Sequence, residues 1–189
     1  MSEERQIQIG DILTFKHDTF GDIPCVVLDI HTLDENVIYT MCSRKPITSR
    51  RYNDKGCHWS ESEIRSWLNG EFLEGFSIKD AIIPIENLTG KRGMKNITEK
   101  TDDKIWLFSE HEVGSTFGRP DDVDEGNTYP YICNSEMLKY MTGEDNPSFL
   151  LRSPSIYIQG NEVMCVKDGG INLCDMTEEQ PILIGFCAV

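Results

Sequence analysis

The sequence predicts a single α+β domain spanning residues 1–189. Apolar residues recur with strand-like spacing in the first third, with helical spacing in the middle and with strand-like spacing again over the last forty residues. There is neither β-α-β alternation nor an internal repeat, which argues against a Rossmann fold or a barrel. No stretch is rich enough in Pro, Gly or Ser to serve as a linker between two domains.

In chain order, Ile23 to Ile30 and Val37 to Cys42 are rich in Val, Ile and Tyr, with Thr32, Asp34 and Asn36 between them. This pattern predicts a β-hairpin. Arg44, Lys45, Arg50, Arg51 and Lys55 form the one basic stretch, read as a solvated loop because Pro and small polar residues interrupt it. Ser60 followed by Glu63 has the spacing of a capping box, and Ile64, Trp67, Leu68 and Phe72 then place one apolar stripe on a helix ending near Asn69 or Phe72. Ser77 and Asp80 predict a second, short helix that Pro84 limits. Lys104 to Phe108 reads as a buried strand leading into Ser109-x-x-Glu112, another helix start, which Gly114 cuts short. Beyond the acidic loop from Gly118 to Asn127, Met137, Leu138 and Met141 predict a helix closed by Gly143. Short runs at Phe149 to Arg152, Ile156 to Ile158, Val163 to Val166, Ile171 to Cys174 and Ile182 to Phe186 then predict an antiparallel meander. Its hairpin is expected to turn at Gly169-Gly170 and to set Cys165 directly across from Cys174.

Composition narrows the function classes. A chain of 189 residues buries on the order of 70% of its unfolded surface, enough to hold a fold without disulfides or metals. Its 32 acidic and 18 basic residues give a net charge of -14, and the pI is about 4.6. That charge disfavours phosphate backbones and anionic lipid, so neither nucleic acid nor membrane is an expected partner. The N-terminal residues lack a basic segment followed by an apolar one, and no apolar run is long enough to span a bilayer. The expectation is a cytoplasmic protein. Seven cysteines, odd in number and without C-x-x-C spacing, are expected to be reduced thiols packed as small hydrophobes.

Candidate chemistry is sparse. Arg152, after Leu150 and Leu151, is expected to emerge at the end of a buried strand, where its guanidinium needs a carboxylate or carbonyls. It and Trp59 are the candidate ligand-binding residues, set against the plainer readings of a structural ion pair and a core tryptophan. Arg65 is expected to hydrogen-bond from the helix to a loop. Cys57-His58 is the one neighbouring nucleophile and base, with diverging side chains. The four histidines lack zinc-ligand spacing. No catalytic residue and no cofactor are expected. Asp121, Asp122, Asp124, Glu125 and Asn127 gather oxygen ligands within seven residues. Were a cation to bind, Asp121, Asp122, Asp124 and Asn127 would hold it, but without the distal Glu of an EF-hand the loop is expected to be solvated.

The segment from Trp59 to Phe72 resembles the W-x-x-S-x-[IL]-R-x-W-L-N-x-x-F signature of a bacterial and phage family, domain of unknown function 6273. Val26-Val27-Leu28-Asp29, Asp103 to Ser109 and Leu151-Arg152-Ser153-Pro154 are similar to further family elements in the same order. Where the family closes with V-R-P-A, this chain has Ile184-Gly185-Phe186-Cys187-Ala188. The resemblance implies a C-type-lectin-like architecture: two main helices, twisted antiparallel sheets and long loops, without that group's calcium tripeptides. It implies a non-catalytic recognition or assembly module for a protein or carbohydrate ligand, of phage or prophage origin and then virion-associated. The alternative is an enzyme related to the formylglycine-generating oxidases, which would need clustered cysteines in a cleft.

Overall fold

The computed structural model describes residues 5–92, 94, 97–114, 125–133, 139, 143, 147–155, 161–168 and 170–189. Its strands are β1 (Ile12–His17), β2 (Gly21–Leu33), β3 (Asn36–Ser43), β4 (Thr48–Arg50), β5 (Ile82–Ile83), β6 (Ile85–Gly90), β7 (Thr98–Asp103), β8 (Ile105–Trp106), β9 (Phe149–Pro154), β10 (Glu162–Lys167), β11 (Gly170–Asp175), β12 (Gln180–Ile182) and β13 (Gly185–Ala188). A 3-10 turn at Trp59–Glu61 leads into α1 (Glu63–Trp67), which continues as a π-turn over Leu68–Phe72, and α2 is the single turn Pro130–Cys133.

Strand makes up 46% of the structure and helix 13%, so the fold is mostly β. The expected α+β fold with two main helices is therefore wrong. Among the described residues only one helix reaches ten residues. The segment that Ser77 and Asp80 were to start is a turn closed by Ile78, whose carbonyl accepts from the Ala81 and Ile82 amides. Ile82 and Ile83 then become β5, because extended backbone lets them pair with Cys187 and Ala188. Ser109 and Glu112 do form a reciprocal capping box, the Glu112 amide donating to Ser109 Oγ and the Ser109 amide to Glu112 Oε2. It closes one turn only, since Gly114 at φ 76° turns the chain away. Most of the helix expected at Asn134 to Met141 and the run from Ile156 to Ile158 lie outside the described residues.

The main sheet has the order β1-β2-β3-β13-β5, with β8 pairing the other half of β13 beside β5. The last strand is thus central, between β3 and the short pair β5 and β8. Gly185 is required there, because a Cβ would lie 2.8 Å from the Trp106 ring. The β2-β3 hairpin matches the expectation and turns at Asp34 and Glu35, both at positive φ. β9, β10 and β11 form a second sheet, while β4-β12 and β6-β7 are two-stranded ribbons. The basic loop therefore contains a strand that the sequence reading missed.

Two local expectations fail for identifiable reasons. Lys167 faces Gly170 and Cys165 faces Asn172, so the β10-β11 register is two residues from the expected one. The connection begins at Asp168, at φ 52°; Gly169 lies outside the described residues. Asp-Gly suits a primed turn, and a two-residue slip leaves every side chain on its face, so hydrophobic pattern cannot distinguish the registers. Cys165 and Cys174 are consequently diagonal neighbours, yet their Cα atoms are 6.0 Å apart and they form a disulfide rather than the two thiols expected.

The helix is capped by Ser62, not Ser60. The Ser62 hydroxyl accepts from the Arg65 amide at 3.2 Å and donates to the Trp59 carbonyl at 3.0 Å. Ser60 instead binds Glu99 through its amide and hydroxyl. Ser62→Ala is expected to lower stability by about 1 kcal/mol, read from the urea midpoint; an unmoved midpoint would place the cap elsewhere.

Candidate functional site

The residues that match the family signature build a polar interior. Asp103, with no exposed surface, accepts from Trp59 Nε1 at 2.9 Å, Arg65 Nε at 2.6 Å, Thr101 Oγ1 at 2.7 Å and Asn87 Nδ2 at 3.1 Å. Asn69 locks the helix to the neighbouring strand, accepting from the Lys104 and Ile105 amides and donating to the Ile105 carbonyl. Arg152 is fully buried and forks onto Glu112, with further bonds to Thr89 Oγ1 and to the carbonyls of Leu88, Leu107 and Glu125. Burial opposes its charge, but Glu112, with Glu125 and Asp103 behind it, more than restores it and raises its pKa.

Trp59 and Arg152, the two candidate ligand-binding residues, are thus inside the fold with their polar atoms engaged and no exposed surface. Glu125, read as part of a solvated loop, is also buried and accepts from the Gly90 amide and Ser153 Oγ. Asp121, Asp122 and Asp124 lie outside the described residues. Asn127 lines an open cleft of about 510 Å³ with Ile9, Leu28, Asp29 and Tyr129.

A second cleft, of about 440 Å³, is lined by residues that the sequence does not mark as a site, since it puts Arg50 in a solvated loop and Trp67 and Phe72 on a helix stripe. Its floor is Phe20, Trp67 and Phe72. Residues five apart point about 140° away from each other on a regular α-helix, but the π-turn after Trp67 adds a residue and brings Trp67 and Phe72 to 5.1 Å. His17 fixes one wall: its Nδ1 accepts from the Thr19 amide at 3.0 Å, so Nε2 carries the hydrogen and donates to the Phe72 carbonyl at 2.8 Å. Its ring stacks on Phe72 at 4.4 Å. Arg50, from β4, lies over Trp67 at 4.1 Å from the ring centroid. Asp18, Glu71 and Glu74 complete the rim. The sequence places Trp67 and Phe72 on one apolar stripe, but their five-residue separation makes a cleft only once the helix has widened.

Thiol chemistry has little support here. Burial pushes Cys25 and Cys42 far above the ordinary range, and pushes Cys133 and Cys187 up to about 11. All four are thiols at neutral pH, and Cys165 and Cys174 are bonded to each other. Among the described residues, no three His, Cys, Asp or Glu side chains are grouped so as to hold a metal ion.

Fold and interior define a mostly β protein organised around buried arginine-carboxylate hubs, with an aromatic cleft on its surface. The chain belongs to the family described as Domain of unknown function (DUF6273), whose model matches residues 33–179. It is also similar to the phosphoribosyl-AMP cyclohydrolase of Chlorobium limicola, 31% identical over 71 residues, 38% of this chain and 51% of that protein. The phosphoribosyl-AMP cyclohydrolase of Prosthecochloris aestuarii matches with the same identity and coverage. The chain spans about half the length of these curated relatives. No solved structure matches it.

Proposed function

We propose that this protein is a non-catalytic recognition or assembly module whose protein or carbohydrate ligand enters the cleft around Trp67. Kinship with the C-type-lectin-like superfamily, a phage or prophage origin, and a cytoplasmic or virion-associated setting belong to the same proposal. The observation that carries it is the contrast between interior and cleft. The buried charges are consumed in holding strands together, while the cleft sets half-buried Phe20 and the Trp67 ring, under the exposed Arg50, beside carboxylates on a scaffold already fixed by hydrogen bonds. Raised thiol pKa values, and the burial of the bonded pair Cys165 and Cys174 inside the fold, weigh against a relative of the formylglycine-generating oxidases. A phosphoribosyl nucleotide would need cations, and among the described residues these two clefts offer Arg50 alone against Asp18, Asp29, Glu71 and Glu74.

The test is an array of peptides and glycans probed with the full chain and with Thr19→Trp, which fills the cleft from an exposed position. Hits that disappear in the variant while the melting temperature holds are expected. No hits, or turnover of phosphoribosyl-AMP, would overturn the reading.

A further inference from the structure

Resting on that reading, we propose that the cleft receives the cationic side chain of a lysine or arginine presented by a partner polypeptide, and that Arg50 occupies its place in the free chain. The face of an indole attracts a cation held within about 6 Å of its centroid, and the guanidinium of Arg50 is already 4.1 Å from Trp67. Arg50 makes no carboxylate ion pair among the described residues, whereas its neighbour Arg51 pairs with both Asp54 and Glu63. The exposed Arg50 is thus held at the cleft by the ring, an attachment that an incoming cation can replace at small cost.

The rim has the matching charge. Asp18, Glu71 and Glu74 face the cleft against Arg50, its one permanent cation among the described residues. Glu74 is engaged by Lys79 at 2.7 Å, while Glu71 makes no ion pair among the described residues. The net charge of -14 draws basic partners toward the whole surface. Phe20, which is half-buried, offers apolar surface to the methylene stem of a long basic side chain, whose head stays at the carboxylate rim. A neutral sugar would need the Trp67 face that Arg50 covers, and an anion would meet the carboxylates.

The experiment titrates the isotope-labelled full chain with three capped Gly-Ser pentapeptides, carrying a central Arg, Lys or Glu, and with maltotriose, following backbone amide signals. The Arg and Lys peptides are expected to shift the amides of Thr19, Phe20 and Glu71, more weakly as salt rises. Arg50→Ala is expected to raise their affinity about 2- to 5-fold by removing the internal competitor. Glu71→Gln, exposed and outside the core, is expected to lower it by a similar factor. Binding of only the Glu peptide or maltotriose in this cleft would overturn the cation assignment and leave the recognition reading standing. Weaker binding by Arg50→Ala would show that Arg50 contacts the ligand, and would overturn its role as stand-in. Silence from every probe, together with an empty array, would overturn both.

Discussion

Arg152→Met is expected to lower the free energy of unfolding by about 3–5 kcal/mol. Methionine preserves much of the side-chain volume, so the loss reports electrostatics rather than a cavity. Removing the guanidinium strands Glu112, which is 3% exposed, and takes a donor from the buried carbonyls of Leu88, Leu107 and Glu125. An uncompensated buried carboxylate is the dominant cost, because its desolvation penalty is no longer offset by a partner. The β9-β10-β11 sheet, the β6-β7 ribbon and the segment that follows β8 meet at this side chain, so the loss is global rather than a local loosening. The double variant Arg152→Met with Glu112→Leu is expected to recover much of the loss, because two apolar groups replace the pair. Urea unfolding of the wild type, both single variants and the double variant closes the cycle. A change under about 1 kcal/mol for Arg152→Met would mean that water reaches the pair.

Trp67→Ala is expected to cost about 3–5 kcal/mol. Trp67 is 8% exposed and packs against Phe72 at 5.1 Å and against the edge of Phe20 at 6.1 Å. Truncation leaves a void between the π-turn and the β1-β2 connection, which the hydrogen bonds of His17 prevent from closing. The loss should appear in the urea midpoint with the circular dichroism of the folded state kept. A midpoint that hardly moves would mean that the cleft wall collapses freely around the deletion.

Local spacing is enough to specify the elements whose apolar residues carry a clear period. The β2-β3 hairpin, the stripe on the Trp59 to Phe72 segment and the runs that became β9, β10 and β11 follow from local spacing, and the family follows from residue types at fixed intervals. Tertiary structure decided the rest wherever the inward face is polar. Along β6 and β7 the buried side chains are those of Asn87, Thr89, Thr101 and Asp103, which alternate as strand residues should. No hydrophobic period marks them, because Asp103 and Thr89 face inward to accept from Trp59, Arg65 and Arg152, and Asn87 and Thr101 to donate to Asp103. The same absence of signal hid the disulfide register, which a two-residue slip leaves unchanged in pattern, and β4, whose partner β12 lies some 130 residues away (Pro181 against Ser49). The cleft was hidden for a related reason: Trp67 and Phe72 become neighbours only through a π-turn, and Arg50 reaches them only after β4 pairs with β12. Spacing along the chain records which face a residue occupies when that face is apolar; hydrogen bonds between distant segments decide the faces that are not.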